Sequence, residues 1–453
     1  MVKSINDWKP NNELVLETEA WNSLKDLKNS LIIAGPGAGK TELLAQKACF
    51  LLETNTCANP QKILAISFKK DAAINLKERV RLRLAKKFES RFVSQTFDSF
   101  SKSILDRFLY SLPDEFRPHW NYEIALNDNE LVKAFSKCGI NLYDKKIKSQ
   151  YIEALTRKRI ENVTGVFSDV WCKLLKGDEN IKPTLSFKMI SILAIHILET
   201  NPLILTSLRK TYSHVFLDEF QDTTKVQYAL VKLCFHNSST SITAVGDNRQ
   251  RIMVWAGAQK DVFSAYKRDF ESREYTLLMN HRSAPRLLEI QKIVNNYLQD
   301  EPFFPVASPK WSTNEGIAEI WRFKDSFAEA KYISEKIKEL MSETDVRPRD
   351  ICIIVKQNVT QFYDDMVEIL NSVDIKIRNE VNFQDLLKED IILLIINTLK
   401  AALNVKDSDA WIFIWDLKIL LEGKSGVLNN KSIDNMRKQI KLMLKHVNDN
   451  LMF

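Results

Sequence analysis

The chain has 453 residues, 45% of them hydrophobic and 27% charged, with 65 basic against 58 acidic side chains and a formal charge of +7. Such a length exceeds one ordinary core and predicts about two to four domains of ordinary globular composition, while the mild basic excess suits a polyanionic partner without requiring one. Six cysteines without a C-x-x-C spacing argue against a disulfide framework or zinc ribbon, and six histidines without a ligand spacing favour structural or surface roles. With no apolar leader at Met1–Asp7 and no apolar run of spanning length, the expectation is a cytoplasmic protein with no membrane partner.

In chain order, Leu31-Ile32-Ile33 reads as a buried strand and Thr41 to Ala48 as a helix, with Ala34-Gly35-Pro36-Gly37-Ala38-Gly39-Lys40-Thr41 at the turn between them. Glycines at a strand-to-helix turn let the backbone approach an anion, and the helix N-terminus favours negative charge. Lys40 is then placed for the β- and γ-phosphates and the Thr41 hydroxyl for Mg²⁺. Gly35, Gly37, Ala38, Gly39, Lys40, Thr41 and Glu42 are the expected nucleotide contacts. Ala34 stands where the strict pattern G-x-x-x-x-G-K-[ST] has its first glycine.

Alternating apolar strands and amphipathic helices continue over residues 1–105 and resume over 211–275, the pattern of a parallel sheet, whereas 106–210 read as a helical insertion. The insertion carries the apolar stretch Phe187–Ile195 and the basic clusters Lys145-Lys146-Ile147-Lys148 and Arg157-Lys158-Arg159. Charge runs of this kind are more often a solvated helix face, and on this insertion they are also candidates for tracking phosphates. Val215-Phe216-Leu217 then forms an apolar strand ending in Asp218-Glu219. Two carboxylates at the end of a buried strand need a cation or a proton, so Asp218 is read as serving Mg²⁺ and Glu219 as orienting or deprotonating an attacking water. Residues 302–314 read as a connector, 276–385 as the first part of a second parallel-sheet domain, and 386–453 as the start of a second helical insertion.

With six ordered motifs in register, the chain resembles the UvrD/Rep-like group of superfamily 1 helicases over roughly Leu14 to Glu380. These are the phosphate loop, Ile66-Ser67-Phe68-Lys69-Lys70-Asp71-Ala72-Ala73, Thr96-Phe97-Asp98-Ser99-Phe100, Asp218-Glu219-Phe220-Gln221-Asp222, Val245-Gly246-Asp247-Asn248-Arg249-Gln250, and Leu278-Met279-Asn280-His281-Arg282-Ser283. The resemblance implies a RecA-like P-loop NTPase domain with a helical insertion, an incomplete second RecA-like domain, and ATP with Mg²⁺ as cofactors. It also implies that Gln250 and Arg282 sense the γ-phosphate beside catalytic Lys40, Asp218 and Glu219, that His281 packs on the adenine, and that Ser67, Phe68, Thr96, Phe97 and Trp255 touch single-stranded DNA. A strand held regardless of sequence calls for aromatic faces and basic side chains, which Phe68 beside Lys69-Lys70 and Trp255 near Arg249 and Arg251 supply. Taken singly each aromatic is more often core, and position within the motifs reverses that.

The departures are specific. The family's adenine-reading glutamine has no counterpart, and Glu19, near that place, lacks the amide donor. Met253 and Ala256 stand where an aromatic and an arginine are usual. The family's later motifs, including its second arginine finger, are not found after Ser283, so the expectation is a fragment, a natural truncation, or a motor completed by another polypeptide. The implied activity is an ATP-dependent DNA helicase or translocase, 3′ to 5′, acting on single-stranded or partly duplex DNA in repair, recombination or defence. The rival is an ATP-regulated DNA-binding subunit of a nuclease or defence complex that does not unwind alone.

Overall fold

The computed structural model describes residues 2–10, 14–125, 128–156, 167–179, 182–251, 253, 257–298, 304–356, 359–387, 389–403, 410–415, 438, 439 and 442. By its contacts the chain divides into two compact units, Met1–Ala318 and Glu319–Phe453.

In the first unit the elements that bear on the site are helix α1 (Thr18–Lys25), strand β1 (Ser30–Ala34), helix α2 (Lys40–Glu53), strand β2 (Lys62–Ser67), helix α3 (Lys70–Arg83), strand β3 (Phe92–Thr96) and helix α4 (Phe97–Arg107). The short strands β4 (Glu123–Ile124) and β5 (Thr184–Leu185) pair within the insertion, and β6 (Tyr212–Asp218), β7 (Ser241–Gly246) and β8 (Arg273–Leu277) complete a six-stranded sheet of order β3-β2-β6-β7-β1-β8. Every pairing in it is parallel, with β1 between β7 and β8 and with β6 between β2 and β7.

Both faces of this sheet are covered, which explains why its strands read as continuous apolar runs rather than alternating ones. Leu31, Leu64, Ile66, Val215, Leu217, Ile242 and Ala244 point into one core with α4 and the insertion helices. Their strand neighbours Ile32, Ala34, Ile63, Ala65, Phe216 and Val245 point into the other, against α2. The period of two along each strand separates the layers. Because it is enclosed on nearly every side, α2 is buried from Leu43 to Leu52, including the polar Gln46 and Lys47.

Within 106–210 the described residues are mainly helical. The helix Phe187–Thr200, capped by the Ser186 hydroxyl on the Met189 N–H, is buried from Met189 to Leu198. Its apolar sequence therefore reflects a core position. No single helix among the described residues is long and apolar enough to cross a membrane. Arg157-Lys158-Arg159 lies outside the described residues. The 302–314 segment contains a short strand: β9 (Met279–Asn280) pairs in parallel with β10 (Val306–Ala307).

In the second unit the helix Ser326–Glu343, capped by Asp325 on the Ala328 N–H, packs on the helix Val359–Asn371 through Ala330, Ile337, Met366 and Leu370. Residues 351–355 form no strand, and the helix Asp390–Ala402 contributes Ala401 and Ala402 to a small cluster with Ile414.

Candidate active site

The site lies at the carboxyl ends of the parallel strands, where β1, β2, β6 and β7 deliver their following loops, as open α/β sheets require. After β1 the chain turns through Gly37 and Gly39, both left-handed at φ +76° and +80°, and Gly39 is the N-cap of α2. A side chain at Gly37 meets a second obstacle: its Cβ would lie 2.5 Å from Asn280 Oδ1 and 2.8 Å from Arg282 Cβ. Glycine is needed there both for the dihedral and for the close approach of a segment more than 240 residues downstream.

That segment is fastened to the phosphate loop through one side chain. Asn280 Nδ2 donates to the Pro36 carbonyl at 2.7 Å, while its Oδ1 accepts the Arg282 and Ser283 N–H groups, each at 2.8 Å. The His281 N–H donates to the Gly37 carbonyl at 2.9 Å. His281 is half-buried and lies over Gly39, and Arg282 is exposed beside the loop. The sequence motif points to His281 and Arg282; the residue that seats them, Asn280, sits within the same motif, and its role becomes visible only across the loop.

Across the cleft, Lys40 Nζ lies 3.5 Å from Glu219 Oε2, joining the phosphate-loop lysine to the end of β6. Glu219 is left-handed at φ +49°, an uncommon conformation for a residue with a side chain and one that occurs at functional turns. Its N–H donates to Asp218 Oδ1 at 3.0 Å. Asp218 is almost wholly buried, and burial followed by the adjacent Glu219 charge pushes its carboxyl up to about 6, against the single backbone donor and Lys40, which favour the anion.

From Glu219 a chain of buried polar groups crosses to β7. Gln221 donates from Nε2 to Glu219 Oε2 at 2.8 Å and accepts the Asp247 N–H on Oε1 at 3.0 Å. Asp247 accepts Gln250 Nε2 on Oδ2 at 2.8 Å and Arg249 Nε on Oδ1 at 2.6 Å. Gly246 leaves room for this relay, since a Cβ there would lie 2.5 Å from Gln221 Oε1. Lys40, Glu219 and Gln250 are thus brought into one network through Gln221 and Asp247, two motif residues whose linking role the sequence alone does not reveal.

Thr41 stands at the start of α2 and Asp218 at the end of β6. Among the described residues no group of three or more His, Cys, Asp or Glu side chains could hold a metal alone. A buried carboxylate at a strand end fits Mg²⁺, which commonly takes one or two protein ligands and completes its shell with phosphate and water.

The residues expected at DNA are divided. Ser67 pairs in register with Asp218, and its hydroxyl is buried with no hydrogen-bond partner among the described residues. Thr96 is part-exposed and caps α4, accepting the Ser99 N–H. Phe68 is part-exposed at the C-terminal edge of β2, beside exposed Lys69 and Lys70. Phe97 is 2% exposed and belongs to the core, so its ring has no face to offer a base; the packing of α4 on the sheet encloses it. Trp255 and Ala256 lie outside the described residues.

Beside Ala38 and Gly39 a pocket of about 290 Å³ opens, walled by Leu43, Leu277, His281, Glu42, Arg79, Arg83 and Glu17. Of Glu17 and Glu19 it is Glu17 that lines this pocket: its oxygens accept the Leu278 and Met279 N–H groups at 3.2–3.3 Å. Glu19 is exposed and accepts from Asn22. Glu42 forms a two-pronged pair with Arg83, at 3.0 and 2.7 Å, and a further contact with Arg79 at 3.1 Å.

Two family models match the chain: the UvrD/REP helicase N-terminal domain over residues 16–271 and the UvrD-like helicase C-terminal domain over 275–451. A probable DNA helicase II homolog of Mycoplasma capricolum is 29% identical over 347 residues, covering 72% of this chain and 46% of the relative. The ATP-dependent DNA helicase PcrA of Bacillus subtilis is 29% identical over 352 residues, covering 72% and 45%. An ATP-dependent helicase/nuclease component of Lactococcus lactis is 26% identical over 326 residues, covering 64% and 27%. The chain spans less than half the length of these relatives. With the first model alone matching more than half of it, and with the phosphate loop, acidic strand end and relay assembled in one cleft, the chain belongs to the UvrD/Rep helicase family.

Proposed function

We propose that this chain is the ATP-hydrolysing motor part of a DNA translocase or helicase, acting 3′ to 5′ on single-stranded or partly duplex DNA. The observation that carries the reading is the continuous polar path from Lys40 through Glu219, Gln221 and Asp247 to Gln250. It joins the Lys40 ammonium, a candidate base and a candidate γ-phosphate sensor in one network, so a change at the Lys40 end alters the hydrogen bonds at the β7 end. Thr41 and Asp218 are the residues that would hold Mg²⁺, which would neutralise charge at the phosphates. Lys40 and the loop N–H groups orient the triphosphate, Glu219 orients water and receives its proton, and Gln250 and Arg282 report the γ-phosphate. Phe68 and Thr96, both part-exposed, and Trp255 are the candidate strand contacts, with Lys69 and Lys70 beside Phe68.

The test is DNA-stimulated ATP hydrolysis. Lys40→Ala is expected to abolish hydrolysis, and Glu219→Gln to keep nucleotide binding while blocking turnover, because it preserves shape and removes the basic carboxylate. Wild-type rates in either variant would count against the assignment. A second reading is favoured by one observation, the likeness to a helicase/nuclease component: the chain is an ATP-regulated DNA-binding subunit in a complex with a nuclease. Strand displacement by this chain without any partner would exclude that alternative.

A further inference from the structure

Directly after Glu219 the chain makes one 3₁₀ turn, Phe220–Asp222, and that turn is fastened to the segment that follows Gln250. The Asp222 N–H donates to the Glu219 carbonyl at 3.0 Å and the Thr223 N–H to the Phe220 carbonyl at 3.1 Å, so the turn fixes the backbone on one side of the left-handed Glu219. From the other segment, the Gln259 N–H donates to the Thr223 carbonyl at 3.0 Å, and Ala258 bridges Thr224 in antiparallel sense. The Ala258 N–H closes back on the Met253 carbonyl at 3.2 Å. These ties are all main-chain. One side chain is added to them: the Asp222 carboxylate accepts the Met253 N–H. In the sequence Met253 and Ala258 flank Trp255, the candidate DNA contact.

The tie carries a penalty. Asp222 is 6% exposed, and its Oδ1 is buried with no hydrogen-bond partner among the described residues. Burial, and then the Glu219 charge, raise its carboxyl above the ordinary range, against the opposing effects of Lys69, the Met253 N–H and Lys40. An apolar side chain of the same branching would fill the space without that penalty, so stability alone does not account for a carboxylate here. A left-handed backbone away from glycine persists only where its surroundings hold it, and Asp222 links the turn that holds Glu219 to the segment leading from Gln250. We propose that Asp222 is a positioning residue for DNA-stimulated ATP hydrolysis: its carboxylate clasps the segment after Gln250 to the Glu219 turn, so that DNA held on that segment sets the Glu219 backbone for turnover. This rests on the hydrolysis and DNA-binding reading above.

The experiment measures ATP hydrolysis by the whole chain with Mg²⁺, with and without saturating oligothymidylate, for the wild type, Asp222→Leu, Asp222→Ala and Asp222→Asn, together with thermal unfolding of each. Leucine keeps the branching and removes both acceptors, whereas asparagine keeps one oxygen for the Met253 N–H. Asp222→Leu is expected to keep the wild-type melting temperature and basal rate and to lose at least about fivefold of the DNA stimulation. The loss falls on kcat, with KM for ATP unchanged, since no nucleotide contact is removed. Asp222→Asn is expected to keep the stimulation. Wild-type stimulation in a folded Asp222→Leu or Asp222→Ala overturns the proposal. So does loss of stimulation in Asp222→Asn, which decides the matter where the other two fail to fold. An equal fall of basal and stimulated rates with a lowered melting temperature marks a residue that only supports the fold, and overturns it too. A wild type that DNA does not stimulate would instead bring down the DNA-binding reading, and this proposal with it.

Discussion

Gly37 and Gly39 share a left-handed backbone, yet the structure assigns them unequal costs of substitution. Alanine at φ near +80° costs about 1–2 kcal/mol through contact of its Cβ with the following carbonyl. At Gly39 that is the whole effect, because the nearest foreign atom to a Cβ there is His281 Cδ2 at 3.8 Å, an ordinary contact. At Gly37 the Cβ would sit 2.5 Å from Asn280 Oδ1, 2.8 Å from Arg282 Cβ and 2.9 Å from Asn280 Cγ, far inside contact distance. Overpacking of this kind adds about 1–3 kcal/mol, so Gly37→Ala is expected to cost about 2–5 kcal/mol and Gly39→Ala about 1–2. The protein can relieve the collision only by pushing 280–283 off the loop, which breaks the Asn280 bonds to Pro36 and to its own turn. The excess then appears as lost nucleotide affinity instead of lost stability. Chemical unfolding and nucleotide titration of both variants, in parallel with Asn280→Ala and the Gly37→Ala/Asn280→Ala pair, measure the two routes. The collision predicts a coupling between Gly37 and Asn280 of about 0.5–3 kcal/mol. Equal behaviour of the two glycine variants in both assays, with additive Asn280 effects, would refute the argument.

Gln221→Ala removes the relay between Glu219 and Asp247; it is expected to cost about 1–3 kcal/mol of stability through unpaired buried groups. It should also lower kcat more than it raises KM for ATP, which steady-state kinetics will read. Phe97→Ala is expected to cost about 3–5 kcal/mol as a core truncation, seen in unfolding curves. Phe68→Ala should leave stability nearly intact and weaken single-stranded DNA binding by about 1–3 kcal/mol, seen in anisotropy titrations. Lys47 is buried, donating to the Ser23 and Asp26 carbonyls at 2.8 and 3.0 Å, and burial lowers its ammonium to about 8 despite the nearby Asp26. Between pH 8 and the ordinary lysine value of 10.5 the unfolded chain then binds more protons than the folded one, so this group makes stability rise with pH over that window. Relative to Lys47→Met, the wild type should gain up to about 3 kcal/mol across it, and a pH-independent difference between the two proteins would contradict the buried charge.

The positions of the candidate residues were legible because they are written in contiguous residues. A glycine turn between an apolar strand and a helix, and two carboxylates ending another strand, declare their places locally, since the strand-helix periodicity around them fixes which ends of the sheet they occupy. The same local logic found the helical insertion, whose apolar helix Phe187–Thr200 the structure buries. What the sequence could not state were relations between distant segments. Glu17 rather than Glu19 lines the pocket beside Gly39 because its carboxylate is caught by backbone N–H groups 261 and 262 residues away. Asn280 matters because it reaches Pro36, 244 residues earlier. Phe97 and Phe68 are alike in type and in motif context, and only the packing of α4 against the sheet sends one ring into the core and leaves the other part-exposed. A side chain's identity sets which interactions it can make; the burial and neighbours that select among them arise when the sheet order β3-β2-β6-β7-β1-β8 draws the ends of separate segments into one cleft.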